Sequence, residues 1–422
     1  MDIIRMPLNA ENLGPCEKDF FTVIRRIIAR HKLHDYKIYV AGGWVRDYLM
    51  CNRSHDIDMI VDDRIVSTFV RKLQKEEQYS YLELHPKPLK TITLSAGYCK
   101  NLTLYKLTYK TDYFQVDVRE LKSPYALVED YNTRDFTVNA MYLNLATMEI
   151  EMTRNSYEDF KAKTIRCILS PRLTFRDATR YMRLVRFAGH KNFVIDKALM
   201  KYIMKEDITG LKEKLNSISK KSMQREISIM FERAGTSKSL ELFVALNLHN
   251  YFELIIEDDV NLVGWRKMVT CRFQSGIELI KLFERLFSLP IFKALINNQY
   301  EKSKRYVYRL IKALCFALSF YLDGDKENFA ILVSNVEIEE IDIIKAQNEI
   351  DYLASKRNFD GNIKRIVQIA QSRAEEEPFY FSNLVYLVSF LKSKGKNNEY
   401  IVHTLKEQYF EPLKESFGFN CY

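Results

Sequence analysis

Apolar residues follow two different spacings along this chain. Up to about Asn155 they alternate with polar ones, as in "DYKIYVAGG" (35–43) and "HDIDMIVDD" (55–63), the period of a half-buried strand. "LKTITLSAGYCKNLTLYKLTYKTDYFQVDVREL" (89–121) is rich in Thr, Tyr, Val and Leu and predicts strands joined by turns. "FTVNAMYLNLATMEIEM" (136–152) predicts a further strand pair. Beyond Asn155 the spacing becomes helical, in "FRDATRYMRLVRFAGH" (175–190), "SMQREISIMFERA" (222–234) and "SKSLELFVALNL" (237–248). The last third, with "IKRIVQIAQSRAEEE" (363–377) and "NLVYLVSFLKSKGK" (383–396), is again helical and rich in lysine. No repeat or low-complexity linker interrupts the run. The pattern predicts an α+β protein: a small head of sheet and helices followed by a long helical body.

Composition narrows this reading. A chain of 422 residues exceeds one ordinary core and divides into about two to four domains. Only 13 Gly and 9 Pro argue against a turn-rich all-β fold. Seven cysteines (16, 51, 99, 167, 271, 315, 421) are scattered without metal-site spacing, as reduced intracellular thiols are. The first residues show no basic segment followed by an apolar run. The longest apolar stretch, Leu310–Leu322, contains Lys312 and is too short to span a bilayer. The expectation is a soluble intracellular protein without a membrane partner, cytoplasmic, with nucleus and mitochondrion as further compartments. A formal charge of +9 leans toward a polyanionic partner, although a solvated surface explains that charge equally well.

The chemistry gathers in "VAGGWVRDYLMCNRSHDIDMIV" (40–61). On a strand, residues two apart share a face, so Asp56 and Asp58 project together while Ile57, Met59 and Val61 face the core. Two adjacent carboxylates repel unless a cation lies between them, and Mg²⁺ prefers such oxygen pairs, completing its shell with water and phosphate. Upstream, Gly42 and Gly43 end a strand and open a helix near Trp44, allowing close backbone approach and offering free N–H groups to phosphate. Arg46 is placed to contact a triphosphate or to pair with Asp47.

"GGWVRDYLMCNRSHDID" (42–58) resembles the signature of the class II tRNA nucleotidyltransferases (CCA-adding enzymes) and the related bacterial-type poly(A) polymerases, within the polymerase-β superfamily. Trp44 is similar to the eukaryotic members. "EDYNTRDFTVNAMYLNL" (129–145) resembles the family's nucleotide-binding motif, with Arg134, Asp135 and Asn139 matching and Thr133 in place of its first Arg. "FQVDVREL" (114–121) resembles its third strand, where Asp117 is either a further carboxylate of the metal cluster, a base for the attacking hydroxyl, or a plain surface aspartate.

"LTFRDATRYMRLVRFAGH" (173–190) resembles the helix whose Asp and Arg serve the family as a protein template for the incoming base; Asp177 and Arg180 match, and Arg176 replaces a Glu. Without the resemblance, the pair is an ordinary helix-surface ion pair. As a template it is chemically apt. Ionised Asp only accepts and Arg only donates, which complements the amino donor and ring acceptor of cytosine and adenine and opposes guanine and uracil. A misplaced buried polar group costs about 1–3 kcal/mol. "ISKKSMQREISIMFE" (218–232) matches a further family helix at Ser219 and Glu226, with Lys221 and Ser222 departing from it. "NSYEDFKAKTIRCI" (155–168) falls where a flexible glycine-containing loop is usual, with Tyr157 at the glycine's place.

The resemblance, covering roughly 36–248, implies a polymerase-β-like catalytic head (1–150), a base-recognising neck (151–235), a helical body (236–335) and a tRNA-binding tail (336–422). It implies addition of C, C and A to the tRNA 3′ end from CTP and ATP. Asp56 and Asp58 would act as Mg²⁺ ligands, joined in catalysis by Asp117. Gly42, Gly43, Arg46, Arg134, Asp135, Asn139, Asp177 and Arg180 would bind nucleotide. The expected partners are the acceptor stem and elbow of tRNA, with Lys and Arg on phosphates, "FLKSKGKNNEYIVHTLK" (390–406) being one candidate patch. A poly(A) polymerase, a CC-only or A-only enzyme, and a silent RNA-binding protein are the alternatives; the intact acidic pair speaks against the last.

Overall fold

The computed structural model describes residues 2–52, 54, 56–75, 104–109, 114–121, 126–206, 208–251, 262–290, 293, 304–322, 326–342, 344–346, 348, 368 and 380–411. The strands expected over 89–103, most of the helix expected over 363–377, and Cys99 and Cys421 lie outside these residues. The chain divides into two compact units, residues 1–180 with 194–202, and residues 181–193 with 203–422.

The first unit is built on a seven-stranded sheet. Its strands are β1 (Ile3–Pro7), β2 (Ile38–Ala41), β3 (Asp56–Asp62), β4 (Leu104–Tyr109), β5 (Phe114–Leu121), β6 (Met141–Asn144) and β7 (Glu149–Thr153), in the order β1-β7-β6-β2-β3-β5-β4. Only β3 and β5 run parallel; every other neighbouring pair is antiparallel. β1, which the alternation did not predict, pairs with β7 at one edge. A short parallel pair, β8 (Thr164–Ile165) with β9 (Val194–Ile195), lies apart from this sheet.

The two faces of the sheet differ. On one, Ile38, Val40, Ile57, Met59, Val61, Val116, Val118, Met141, Leu143, Ile150 and Met152 join a core with Phe20, Phe21, Ile24 and Ile27 of α1 (Pro15–Arg30). α2 (Gly43–Leu49) adds Trp44 and Val45, and α3 (Val66–Lys75) adds Val66, Phe69, Val70 and Leu73. Each such side chain, fully buried, contributes about 1.5–3 kcal/mol. Trp44 meets Phe21 edge-on at 5.1 Å, and its indole N–H donates to Glu17 at 2.9 Å, so its one polar atom is satisfied.

The other face holds a smaller core, Tyr39, Ala41, Ile60, Leu121, Tyr131, Ala140 and Tyr142, to which α4 (Ala126–Thr133) contributes Tyr131. Asp56 and Asp58 stand on this half-covered face and are exposed, while Ile57, Met59 and Val61 are buried behind them, as the alternation predicts.

Two local expectations change. Residues 154–161 form a helix, α5 (Arg154–Lys161), rather than a loop, because Thr153 caps its first turn by accepting from the Ser156 N–H. After α6 (Pro171–Thr174), the helix expected from Phe175 begins only at Thr179, as α7 (Thr179–His190). Asp177 precedes it: its carboxylate accepts from the Thr179 N–H, so the chain turns there instead of continuing a helix.

The second unit is helical. Ser219 caps the helix Lys220–Glu232 through the Ser222 N–H. Within that helix Glu226 accepts from Arg186 at 2.8 Å and pairs with Arg183 at 3.7 Å. Gly276, in the helix Leu262–Leu286, leaves room for Lys304–Leu322: an added Cβ would stand 2.6 Å from the Phe316 carbonyl. Lys312 is buried, donating to the Arg233 carbonyl and the Thr236 hydroxyl. Toward the end, Lys394 and Lys396 are exposed before the helix Asn398–Leu405.

Candidate active site

The half-covered face of the sheet gathers most of the predicted residues. The parallel register sets Asp58 opposite Asp117 and Ile57 opposite Val116, so Asp56, Asp58 and Asp117 share a face with Arg119, two residues further along β5. Asp58 is crowded by neighbouring atoms although its side chain presents to solvent. Burial raises its carboxyl above the ordinary aspartate value, Arg119 and Arg134 pull it down, and Asp117 and Asp56 push it up again, for a net rise. Like charge on this face is thus incompletely balanced, which fits a divalent cation bound by Asp56 and Asp58. Among the described residues no group of three or more His, Cys, Asp or Glu gathers closely enough to form a metal cage. A cation here would draw its remaining oxygens from water and substrate, as Mg²⁺ does.

Beside the acids lies a buried hydrogen-bonded network. Gly42 carries φ 73° and ψ −120°, a backbone conformation that side chains rarely adopt, and an added Cβ would collide with Nη1 of Arg134. The Gly42 N–H donates to the Met141 carbonyl at 2.9 Å, tying the strand-to-helix turn to β6. Gly43 opens α2, whose Arg46 is 4% exposed. Arg46 donates through Nε to Asp47 at 2.9 Å and through Nη1 to the side chain of Asn139. Asn139 donates to Asp135 at 2.8 Å, and Asp135 also takes the Phe136 N–H at 2.8 Å. Arg46 and Asp135 are therefore turned inward, where they set the shape of the turn and of the segment 135–139.

Arg134 is placed differently. Its Nε donates to Asp130 at 2.7 Å and its Nη1 to the Asn139 carbonyl at 3.0 Å, and its guanidinium lies 5.2 Å from the centre of the Tyr142 ring. Its Nη2 is buried and has no hydrogen-bond partner among the described residues. A buried unpaired guanidinium nitrogen is costly, and an anionic ligand would satisfy it. Burial opposes the charge of Arg134, but Asp130, Tyr142 and Asp58 outweigh it and hold the group firmly protonated. Asp130 also pairs with Arg119 at 2.6 Å and accepts from the Tyr142 hydroxyl at 2.8 Å. Burial raises its carboxyl, yet these partners bring it below the ordinary value.

Asp177 and Arg180 form the remaining group. Arg180 donates through Nη2 to the Thr133 carbonyl at 2.6 Å and through Nη1 to the Thr174 carbonyl at 3.3 Å, and its Nε lies 3.7 Å from Oδ2 of Asp177. Oδ1 of Asp177 accepts from the Thr179 hydroxyl at 2.5 Å and from its N–H at 3.1 Å. Asp130, Arg119, Tyr142 and Thr179 were not singled out in the sequence. Asp130 and Arg134 stand at helical i,i+4 spacing and Arg119 shares a strand face with Asp117, so two of the four left a readable signal.

Residues 38–166 match the family model of the poly A polymerase head domain. The chain carries that head domain. It is 28% identical over 235 residues to a tRNA nucleotidyltransferase of Schizosaccharomyces pombe, covering 51% of this chain and 47% of that one. It is 31% identical over 176 residues to the mitochondrial CCA tRNA nucleotidyltransferase of Saccharomyces cerevisiae, covering 38% and 32%. The chain spans about half or less of the length of these curated relatives.

Among solved structures it resembles an apo tRNA-processing enzyme, with TM-score 0.61 and 16% identity over 98% of this chain and 97% of that one. It also resembles the Thermotoga maritima CCA-adding enzyme complexed with tRNA, with TM-score 0.54 and 18% identity over 98% and 85%. These likenesses establish the fold, a nucleotidyltransferase head with a helical body. Among the described residues, no helix is long and apolar enough to cross a membrane.

Proposed function

We propose that this protein is a CCA tRNA nucleotidyltransferase, which adds C, C and A to the tRNA 3′ end from CTP and ATP and releases pyrophosphate. The observation that carries this reading is the juxtaposition of the Asp56/Asp58 pair with Arg134, whose Nη2 is buried without a partner. Carboxylates for a metal and an unsatisfied guanidinium for a phosphate are the two things a nucleoside triphosphate needs. The names of the relatives support tRNA as the acceptor.

In this reading Asp56 and Asp58 hold Mg²⁺, which when bound lowers the pKa of the RNA 3′-hydroxyl and neutralises charge on the phosphates. Asp117, across from Asp58, accepts the proton of that hydroxyl. Arg134 grips phosphate or ribose. Arg46, Asp135 and Asn139 hold the turn at Gly42 and Gly43 open for the triphosphate. Asp177 and Arg180 read the base, Asp accepting from the amino group of C or A and Arg donating to the ring acceptor. Residues 1–150 serve as catalytic head, 151–235 as neck, 236–335 as body and 336–422 as tail, where exposed Lys394 and Lys396 meet tRNA phosphates. The protein acts inside the cell, in the cytoplasm, nucleus or mitochondrion.

The test is incorporation of labelled CTP, ATP, GTP and UTP, singly and together, into tRNAs ending in the discriminator base, C or CC, with Mg²⁺. Two C and one A followed by a stop support the reading, with Asp56→Ala/Asp58→Ala inactive. ATP-only tailing would identify a poly(A) polymerase, and CC-only or A-only products a partial enzyme. No incorporation despite tRNA binding would identify a silent RNA-binding protein.

A further inference from the structure

The two members of the base-reading pair are held by different means. Arg180 is held by main chain, its two terminal nitrogens on the carbonyls of Thr133 and Thr174. Asp177 is held by one neighbour: the Thr179 hydroxyl at 2.5 Å and the Thr179 N–H at 3.1 Å both fall on Oδ1. Among the described residues no hydrogen bond reaches Oδ2. Arg180 Nε stands 3.7 Å from it, close enough for charge pairing and too far for a hydrogen bond. The Asp177 side chain is 37% exposed, so packing alone does not fix its rotation.

We propose that Thr179 is a positioning residue for base selection. Its hydroxyl takes up Oδ1 and holds the carboxylate plane so that Oδ2 alone is presented beside the Arg180 guanidinium. The inference rests on the reading of Asp177 and Arg180 as the base-reading pair. Its physical content is pre-organisation. A carboxylate free to rotate can turn aside from a guanine or uracil carbonyl, or admit a bridging water, and so lower the penalty for the wrong base. A carboxylate held at one oxygen cannot. The backbone N–H at residue 179 survives any substitution except proline, so what Thr179 contributes specifically is its hydroxyl.

The experiment uses the full chain, Mg²⁺ and each nucleoside triphosphate singly, on tRNA lacking its terminal CCA for the C step and on tRNA ending in CC for the A step. It measures kcat/KM for CTP and ATP relative to GTP and UTP in wild type, Thr179→Val, Thr179→Ser and Asp177→Asn, with folding checked by circular dichroism. Thr179→Val keeps the volume and the N–H but loses the hydroxyl, and its discrimination is expected to fall about tenfold, the loss residing in tighter use of GTP and UTP. Thr179→Ser is expected to restore it. Asp177→Asn should lose discrimination more deeply. Wild-type discrimination in Thr179→Val, with Asp177→Asn impaired, overturns the role of Thr179 and leaves the base-reading pair standing. Unchanged discrimination in both overturns the base-reading pair and this inference with it, as does a wild-type protein that incorporates nothing.

Discussion

Asp58 and Asp117 face one another across the only parallel strand pair of the seven-stranded sheet, two acids in register with Arg119 and Arg134 acting on the nearer one. The arrangement leaves Asp58 with a raised carboxyl and no full compensation for its charge within the protein.

A raised carboxyl stabilises the fold while protonated and loses that contribution as pH climbs through the folded value, so at neutral pH the Asp58 charge weighs against the free protein. Asp58→Asn is therefore expected to melt at or above wild type without divalent metal, while wild type gains more from added Mg²⁺. Nucleotide incorporation by the variant should fall by about a thousandfold or more. Scanning calorimetry with and without Mg²⁺ checks the first part; a variant that gains as much from Mg²⁺ as wild type contradicts it.

Asp130 has the opposite sign. It is buried, paired to Arg119 and Arg134, and lowered, so its contribution is present above the ordinary aspartate value near 3.9 and lost as pH falls through the lower folded value. Removing it in Asp130→Ala strands Arg134 and is expected to cost about 3–5 kcal/mol. Urea melts at pH 7 measure the cost. Acid melts should show a shallower stability loss for the variant than for wild type below pH 4.

Gly42→Ala combines a disallowed backbone angle with a collision at Arg134. Strain of this kind costs about 1–3 kcal/mol. Because the displaced group is the proposed phosphate grip, KM for the triphosphate is expected to rise by at least about tenfold even at temperatures where the variant stays folded. A variant whose melting point drops while KM holds would separate the turn from the site.

Lys312 gives a test in the second unit. Burial lowers it to about 8, with Glu284 at 3.7 Å opposing the shift. Below that pH the folded protein carries a penalty for a charge the unfolded chain bears freely; the penalty fades between about pH 8 and the ordinary lysine value near 10.4. Wild-type stability relative to Lys312→Met is expected to rise across that window, by on the order of 3 kcal/mol at most. A flat difference from pH 7 to 10 would overturn the assignment.

How much of this was legible in the sequence depends on how local each cause is. Alternation at 56–61 placed Asp56 and Asp58 on one face because a strand's period is set by its own backbone. The glycine turn announced itself for the same reason. For Asp130 the sequence carries only its i,i+4 spacing to Arg134; the rest of its importance comes from Arg119 and Tyr142, brought in from two strands. For Arg46 the sequence offers either a triphosphate contact or a pairing with Asp47; the pairing is formed, while nothing local reveals that Asn139 will stand beside it. α7 starts four residues later than the spacing predicts, because an aspartate that turns back on its own chain has the same letters as one on a helix face. Thr153 similarly turned an expected loop into α5.

The grip on Arg180 has a consequence for how this protein can vary. Its terminal nitrogens rest on carbonyls, which every amino acid carries alike. Position 133 can thus hold Thr or another residue without loosening Arg180, and position 174 is equally tolerant in this respect. Anchorage of this kind is inherited from the path of the chain rather than from its spelling, so drift at either position would leave it intact, and only a change that bends the backbone would release it.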